Sequence, residues 1–535
     1  MLKKILLIFL GALSWSLVMI KSGQCWFAKC AYGAEFWGPN GHDGIWHFAL
    51  AESLSRGNLG IPTFAGGAIK NYHIGFDLLL ALFHKITFIP INNLYFQILP
   101  PIFAVAIGLL VYKFVLVWTG SIRYTLYAVF FTYFGGSLGW VLGKGESAFW
   151  SQQAVSTLIN PPLALSLIII LLGLIFLLKY QKTHTTYYLL LTTLFFGILI
   201  QIKVYAGILV LGALLISKNF KVFLGTLAIS LILFLPFNKN PQGLLVFQPF
   251  WFLETMMQFA DRVGWAKFGE AMVNYKAGGM WTKGILAYMV ALAIFIVGNF
   301  GTRIIFLFRK IKLDSVGIFL YSIIAAGVII PMFFLQKGTP WNTIQFMYYS
   351  LFFSGILAGI ALAKINTTLI YIIIVVLTVP TSILTLKDVY LPPRSPAMLS
   401  NSELSALSFL KGQPNGVVLT YPFDKVKAKE AENNPPRPLY LYESTAYVSA
   451  YSAKPVLLED EVNLEITGYD WKSRRAEIED WYRQPDQIKA REFLANNNIK
   501  YIYWLKGQRA YLGEGQLGIE KIFENKEVEV FVVKS

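Results

Sequence analysis

The sequence predicts an α-helical polytopic membrane protein, of about eleven transmembrane helices, with a small extracytoplasmic α/β domain at its C-terminal end. Three observations carry that expectation. The 535 residues are 56% hydrophobic and only 14% charged, where soluble domains carry roughly 25% charged residues. Apolar runs of near-membrane length recur from residue 5 to residue 386, and each is long enough to be read as a helix crossing or nearly crossing the hydrocarbon core. The charge is also segregated: residues 1–386 hold 26 Lys and Arg against 9 Asp and Glu, whereas residues 387–535 hold 20 against 21. Disorder, coiled coil and a disulfide scaffold are excluded by the same composition. The basic residues lie scattered between apolar runs, where they anchor helix ends against membrane lipid, so nucleic acid is not an expected partner.

Along the chain, Lys3 and Lys4 precede an apolar run at 5–20, which reads as a first span with a cytoplasmic N-terminus; a signal peptide is the competing reading. Residues 74–90 are short and carry Asp77, His84 and Lys85, as an interfacial or re-entrant helix would. Further spans are expected at 95–117, 124–142, 161–179, 186–200, 204–217, 222–236, 283–302, 315–335, 342–363 and 367–386. With 74–90 not crossing, the short cytoplasmic loops and helix ends receive Lys113, Arg123, Lys179, Lys182, Lys218, Lys221, Arg303, Arg309, Lys310, Lys312 and Lys364, which satisfies the positive-inside rule. The protein is then a multi-pass protein of the plasma or inner membrane, with an extracytoplasmic tail. Residues 21–94, 143–160 and 237–282 face outward and hold eight of the nine acids of the membrane part, all but Asp314. That distribution points to chemistry on the outer face.

The domain boundary is expected at 386/387, since Pro392, Pro393 and Pro396 mark a linker. Beyond it, 402–411 and 487–496 have helical spacing, 416–420 and 499–505 read as strands, and 522–523 with 528–533 flank a polar turn as a hairpin would.

The densest polar cluster is Glu35-Phe36-Trp37-Gly38-Pro39-Asn40-Gly41-His42-Asp43-Gly44-Ile45-Trp46-His47 in the first outer loop. Its glycines and proline allow the backbone to approach a ligand closely. Asp43 stands near the start of an amphipathic helix, 45–56. It is either the cap of that helix or a base that takes a proton from an incoming hydroxyl. His42, Asp43 and His47, with His73 further on, also raise a divalent-metal site; ordinary interfacial histidines are the plainer reading, and the metal stays unassigned. Cys25 and Cys30 are the only cysteines, and outside the cytoplasm they would be either a disulfide or two interfacial thiols. Lys203 and Lys337, between otherwise apolar segments, are the kind of cation a lipid phosphate needs, with snorkelling as the alternative. Glu146 in 143–151 is either a second acid of the same pocket or a solvated loop carboxylate.

Gly41-His42-Asp43-Gly44-Ile45-Trp46-His47 after a first span, Asn71-Tyr72-His73-Ile74-Gly75-Phe76-Asp77 after that loop, Asn160-Pro161-Pro162 opening one span and Lys203-Val204-Tyr205-Ala206-Gly207 opening another together resemble the GT-C superfamily of membrane glycosyltransferases. In the tail, Tyr447-Val448-Ser449-Ala450-Tyr451-Ser452-Ala453-Lys454-Pro455-Val456, then Arg474-Arg475 and Ile499-Lys500-Tyr501-Ile502-Tyr503-Trp504, looks like the outer domains of uncharacterised bacterial and archaeal GT-C-like proteins. The resemblance implies an inverting, hexosyltransferase-type enzyme. It would take a sugar from a polyprenyl-phosphate-linked donor and deliver it to an extracytoplasmic glycan, lipid or protein acceptor. Asp43 would be the base and Lys203, with Lys337, would hold the donor phosphate. Many members carry paired acids where this chain has His42-Asp43, which leaves subfamily and metal dependence open. Two rivals stand beside this reading: a non-enzymatic lipid or polysaccharide transporter, and a membrane-anchored scaffold whose tail binds a partner through Trp471-Lys472-Ser473-Arg474-Arg475.

Overall fold

A computed structural model of the chain describes residues 2–23, 33–238, 245–483, 487–510, 512 and 518–534. Cys25 and Cys30, and with them the expected disulfide, lie outside the described residues. The chain divides into two compact units, residues 1–18 with 99–392, and residues 19–98 with 393–535. The first outer loop thus groups with the tail.

The first unit is helical. Among the described residues seven helices are long and apolar enough to cross a membrane: Ile91–Thr119, Ile122–Leu142, Pro161–Thr183, Trp281–Phe308, Ser315–Phe333, Pro340–Leu362 and Thr368–Tyr390. Each contains or overlaps an expected span, so the chain is a multi-pass membrane protein. The other four expected spans form shorter helices, Leu2–Ser16, Thr186–Ile202, Val204–Ile216 and Phe220–Phe234. At about 1.5 Å per residue these fall short of the roughly 30 Å hydrocarbon core. Eleven spans is therefore a count of apolar helices, of which seven have full crossing length.

The helix Pro340–Leu362 is the centre of this unit, 89% buried over its apolar window, whereas Thr368–Tyr390 is 22% buried and turns most of its surface outward. Small residues set the packing, as they do between helices in lipid. A Cβ at Gly359 would stand 2.3 Å from the Ala128 backbone nitrogen, and one at Gly11 would stand 2.2 Å from the Tyr133 ring. The Tyr133 hydroxyl donates to the Ala104 carbonyl at 2.7 Å, and the Trp15 indole donates to the Tyr133 carbonyl at 3.0 Å. Arg303, expected at a cytoplasmic helix end, is instead 1% exposed within the segment Trp281–Phe308. Its Nη2 donates to the Gln153 carbonyl at 3.2 Å, and Glu146 supplies a nearby opposite charge, which is how a buried cation is tolerated.

The second unit is α/β. Strands Val417–Thr420, Ile499–Leu505, Val528–Val533 and Ile519–Glu524 lie side by side in that order, the first pair parallel and the others antiparallel. Three of these are the expected 416–420, 499–505 and 528–533, and the fourth extends the expected 522–523. A second sheet joins loop to tail: strand Gly33–Phe36 pairs antiparallel with Ala397–Ser400, which runs parallel to Arg437–Pro438. The helix Asp43–Ser55 packs on the helix Tyr447–Ser452, with the Phe48 and Tyr451 rings edge to face at 5.0 Å. Glu52 on that loop helix, 4% exposed, pairs with Lys411 of the tail at 2.8 Å and with Arg56 at 3.3 Å.

Candidate functional site

Asp43 opens the helix Asp43–Ser55, and the residue at the cap position is His42, whose side chain makes no capping bond. Asp43 is therefore the acid of the first turn, where the helix dipole favours a carboxylate. Its side chain is 59% exposed, with Oδ1 3.1 Å from His42 Nδ1, so a substrate hydroxyl can reach it. One turn further along the same helix His47 is buried, and its Nδ1 lies 2.8 Å from Oδ1 of Asp77, which is fully buried. Asp77 belongs to the helix Gly75–Thr87, only 13 residues long, consistent with the expectation of a segment that does not span. His47 also stacks on Tyr95, ring centroids 5.8 Å apart, and His73 stacks on Tyr72 at 4.8 Å. The structure thus brings His42 to Asp43 and gives His47 to Asp77 instead. Among the described residues no group of three or more His, Cys, Asp or Glu side chains could hold a metal ion.

The expected cation site lies in the first unit. Lys203 is the extended residue between the helices Thr186–Ile202 and Val204–Ile216, and it is 5% exposed. Its Nζ is 3.4 Å from Asn160 Oδ1, which also accepts the Leu163 backbone N–H at 3.0 Å and so caps the helix Pro161–Thr183. The Asn160-Pro161-Pro162 and Lys203-Val204-Tyr205 motifs, far apart in sequence, meet here. Lys203 also lies over the Tyr205 ring, 5.5 Å from its centroid, and the Tyr205 hydroxyl donates to Gln336 Oε1 at 2.8 Å. Lys337 is the next residue along and is exposed. Two helix N-termini and the Lys203 ammonium at one place are ingredients of an anion site.

Glu146 is not a solvated loop carboxylate. It is 1% exposed, and its carboxylate accepts the backbone N–H groups of Val155 at 2.7 Å and Ser156 at 3.1 Å. Burial pushes its carboxyl above the ordinary range, and those two N–H groups pull the other way.

Sequence reasoning missed three consecutive buried acids of the tail. Glu459, Asp460 and Glu461 are 8%, 3% and 3% exposed. Glu459 accepts the N–H groups of Val448 at 2.7 Å and Ser449 at 3.0 Å, repeating around a second Val-Ser pair the device used by Glu146. Asp460 sits close enough to Asp43 and His42 for both to act on its carboxyl. The signal was the acid run directly after the apolar Val456-Leu457-Leu458, where a solvated turn is the ordinary reading. Arg474 and Arg475, proposed above as a recognition surface, are committed internally. Arg474 donates to the Ala65 carbonyl at 2.8 Å, and Arg475 to the Phe423 carbonyl at 2.7 Å and to Glu479 at 2.8 Å.

No protein-family model and no curated protein sequence matches the chain. Solved structures do match in fold. The arabinofuranosyltransferase AftD from Mycobacteria superposes with a TM-score of 0.52 at 9% identity, covering 99% of this chain and 40% of that one. The oligosaccharyltransferase AglB from Archaeoglobus fulgidus, solved with an inhibitory peptide and a dolichol-phosphate, gives 0.49 at 12% identity, covering 94% of this chain and 69% of that one. ArnT from Cupriavidus metallidurans, bound to undecaprenyl phosphate, gives 0.38 at 12% identity over 99% of this chain and 98% of that one. The chain, an apolar helical unit and a second, α/β unit, is thus similar in fold to AftD.

Proposed function

We propose that the protein is a glycosyltransferase that moves a hexose-type sugar from a polyprenyl-phosphate donor to an extracytoplasmic acceptor, with the N-terminus cytoplasmic and the second unit outside. The observation that carries this reading is the exposed Asp43 carboxylate in the first turn of its helix, on a GT-C fold. Asp43 takes the proton of an acceptor hydroxyl as that oxygen attacks the anomeric carbon. The bond from the anomeric carbon to the phosphate oxygen breaks with inversion, and its electron pair leaves on the polyprenyl phosphate. Lys203, with Lys337, compensates the charge of that phosphate by charge-assisted hydrogen bonds. His42, 3.1 Å from Asp43, orients the carboxylate. Asp43 and His42 need no metal for these roles, and a divalent ion remains outside the proposal.

The test is transfer from a synthetic polyprenyl-phosphate sugar to membrane or envelope acceptors by the full chain in nanodiscs. Release of polyprenyl phosphate with inverted product, abolished by Asp43→Asn at unchanged expression and melting temperature, is the expected result. Undiminished turnover in Asp43→Asn would overturn the assignment of the base.

A further inference from the structure

The second unit holds a cleft with about 480 Å³ of empty space, open solvent included, and Glu459, Asp460 and Glu461 form part of its wall. Opposite chemistry is present on the same wall, where Phe423 and Tyr440 contribute aromatic ring surface. Most of the polar atoms here are satisfied from within. Glu459 holds two backbone N–H groups, Asp460 accepts from the Asn463 N–H at 3.1 Å and from its side-chain amide at 2.8 Å, and Arg475 holds Oε1 of Glu461. Three are not. Among the described residues, Glu461 Oε2, Thr445 Oγ1 and the Tyr503 hydroxyl are buried without a hydrogen-bond partner, on residues that all line the cleft. A buried unpaired oxygen is costly, and native structures rarely keep one unless something else satisfies it.

The character of the acids narrows what that something is. Burial pushes Glu459 up to about 8 and Asp460 and Glu461 up to about 7. Near neutral pH these carboxyl groups therefore donate as well as accept hydrogen bonds. Mixed donors and acceptors beside aromatic faces suit the hydroxyls and C–H faces of a neutral polyol. A cationic ligand would meet carboxyls only partly ionised near neutral pH and a Glu461 already occupied by Arg475. The location is equally specific: Tyr442, also on the cleft wall, carries the His42 ring stacked 6.0 Å away, and His42 touches Asp43.

We propose that this cleft is the acceptor subsite and that the acceptor is a saccharide, seated against Tyr440, Thr445 and Glu461 with a hydroxyl directed toward Asp43. The inference rests on the transfer reading for its chemistry, but binding and turnover are measured separately. The full chain in nanodiscs is screened against gluco-, manno- and galacto-oligosaccharides, with a lysine-rich peptide as the cationic arm. The same samples are assayed for consumption of a synthetic polyprenyl-phosphate sugar. The expected result is binding of a neutral oligosaccharide, weakened roughly tenfold or more by Thr445→Val and by Tyr440→Ala at unchanged melting temperature, and retained in Asp43→Asn. Silence across the oligosaccharides, binding indifferent to both variants, or binding of the peptide alone overturns the proposal. Donor consumption with no oligosaccharide bound would sink the saccharide subsite and leave transfer standing. Binding without donor consumption would do the reverse.

Discussion

His47 and Asp77 form a buried pair, Nδ1 to Oδ1 at 2.8 Å, that ties the helix bearing Asp43 to the helix Gly75–Thr87. His47 is one helical turn from Asp43, so the pair fixes the rotation of that helix and with it the direction of the Asp43 carboxylate. Asp77→Ala leaves the buried imidazole without this acceptor, and a loss of about 2 kcal/mol is expected. The melting temperature of the variant should fall and the transfer rate with it, whereas His47→Asn, whose amide can still bond Asp77, should retain more of both than Asp77→Ala does. Unchanged melting in Asp77→Ala would mean that the pair does not hold the two helices together.

For Asp43 itself the expectation is opposite in kind. Its side chain is 59% exposed, and substitutions at such positions usually change stability by no more than about 0.5 kcal/mol. Asp43→Asn should melt like the parent while losing about 10² to 10⁴ in rate, the usual contribution of a positioned base. Chromatography of the lipid products measures the rate, and light-scattering or fluorescence melting measures the fold. A parallel loss of both would make Asp43 a structural residue.

The lysine site separates binding from chemistry. Lys203 is nearly buried beside Asn160, so Lys203→Gln removes a charge that exposed Lys337 alone does not replace. Charge-assisted hydrogen bonds contribute about 1.5–3 kcal/mol, which predicts about tenfold to a hundredfold weaker binding of undecaprenyl phosphate in nanodiscs, measured by native mass spectrometry. Lys203→Arg should retain most of the affinity. Equal affinity in Lys203→Gln would move the phosphate elsewhere.

What the sequence made legible follows from how local each signal is. The helix Gln487–Asn496 and the strand Ile499–Leu505 coincide with the expected ranges, because periodicity and a short polar break define them within a few residues. The long spans are legible for the same reason. Two features were not, since both are made by contacts between different elements of the chain. Lys203 was singled out by charge, but its contact with Asn160 joins two different helices. Glu459–Glu461 read as a solvated acid run until the helix Tyr447–Ser452 supplied two backbone N–H groups and buried it. Likewise nothing local says that the first loop pairs its strand with Ala397–Ser400 and so shares a unit with the tail.

Helix packing in the first unit gives a prediction independent of function. Gly359 lets the central helix approach the backbone of Ala128 so closely that an added Cβ would lie 2.3 Å from its nitrogen. Backbone cannot swing aside as a side chain can, so Gly359→Ala should separate the two helices and cost about 1–3 kcal/mol. Gly212, where an added Cβ meets nothing within 4 Å, is the control: Gly212→Ala should be neutral or slightly stabilising in the same melting assay.

The buried acids make the second unit sensitive to pH, and the sign can be worked out. Burial raises Glu459 from 4.5 to about 8 in the folded protein, so the folded state keeps its proton to higher pH than the unfolded state does. The associated stability is complete below about pH 4.5 and is lost as pH climbs through about 8. Asp460 and Glu461, each raised to about 7, act in the same direction over a lower window. The second unit should therefore melt at a higher temperature at about pH 6 than at about pH 8.5, as followed by the fluorescence of its tryptophans, among them Trp37, Trp46, Trp471, Trp481 and Trp504. Glu459→Gln removes one titration but keeps only one acceptor oxygen for the two N–H groups of Val448 and Ser449. The variant should be less stable at about pH 6 yet show a shallower fall toward about pH 8.5. A slope as steep as the parent's would assign the pH dependence to other groups and leave Glu459 as an anchor that does not titrate in this range.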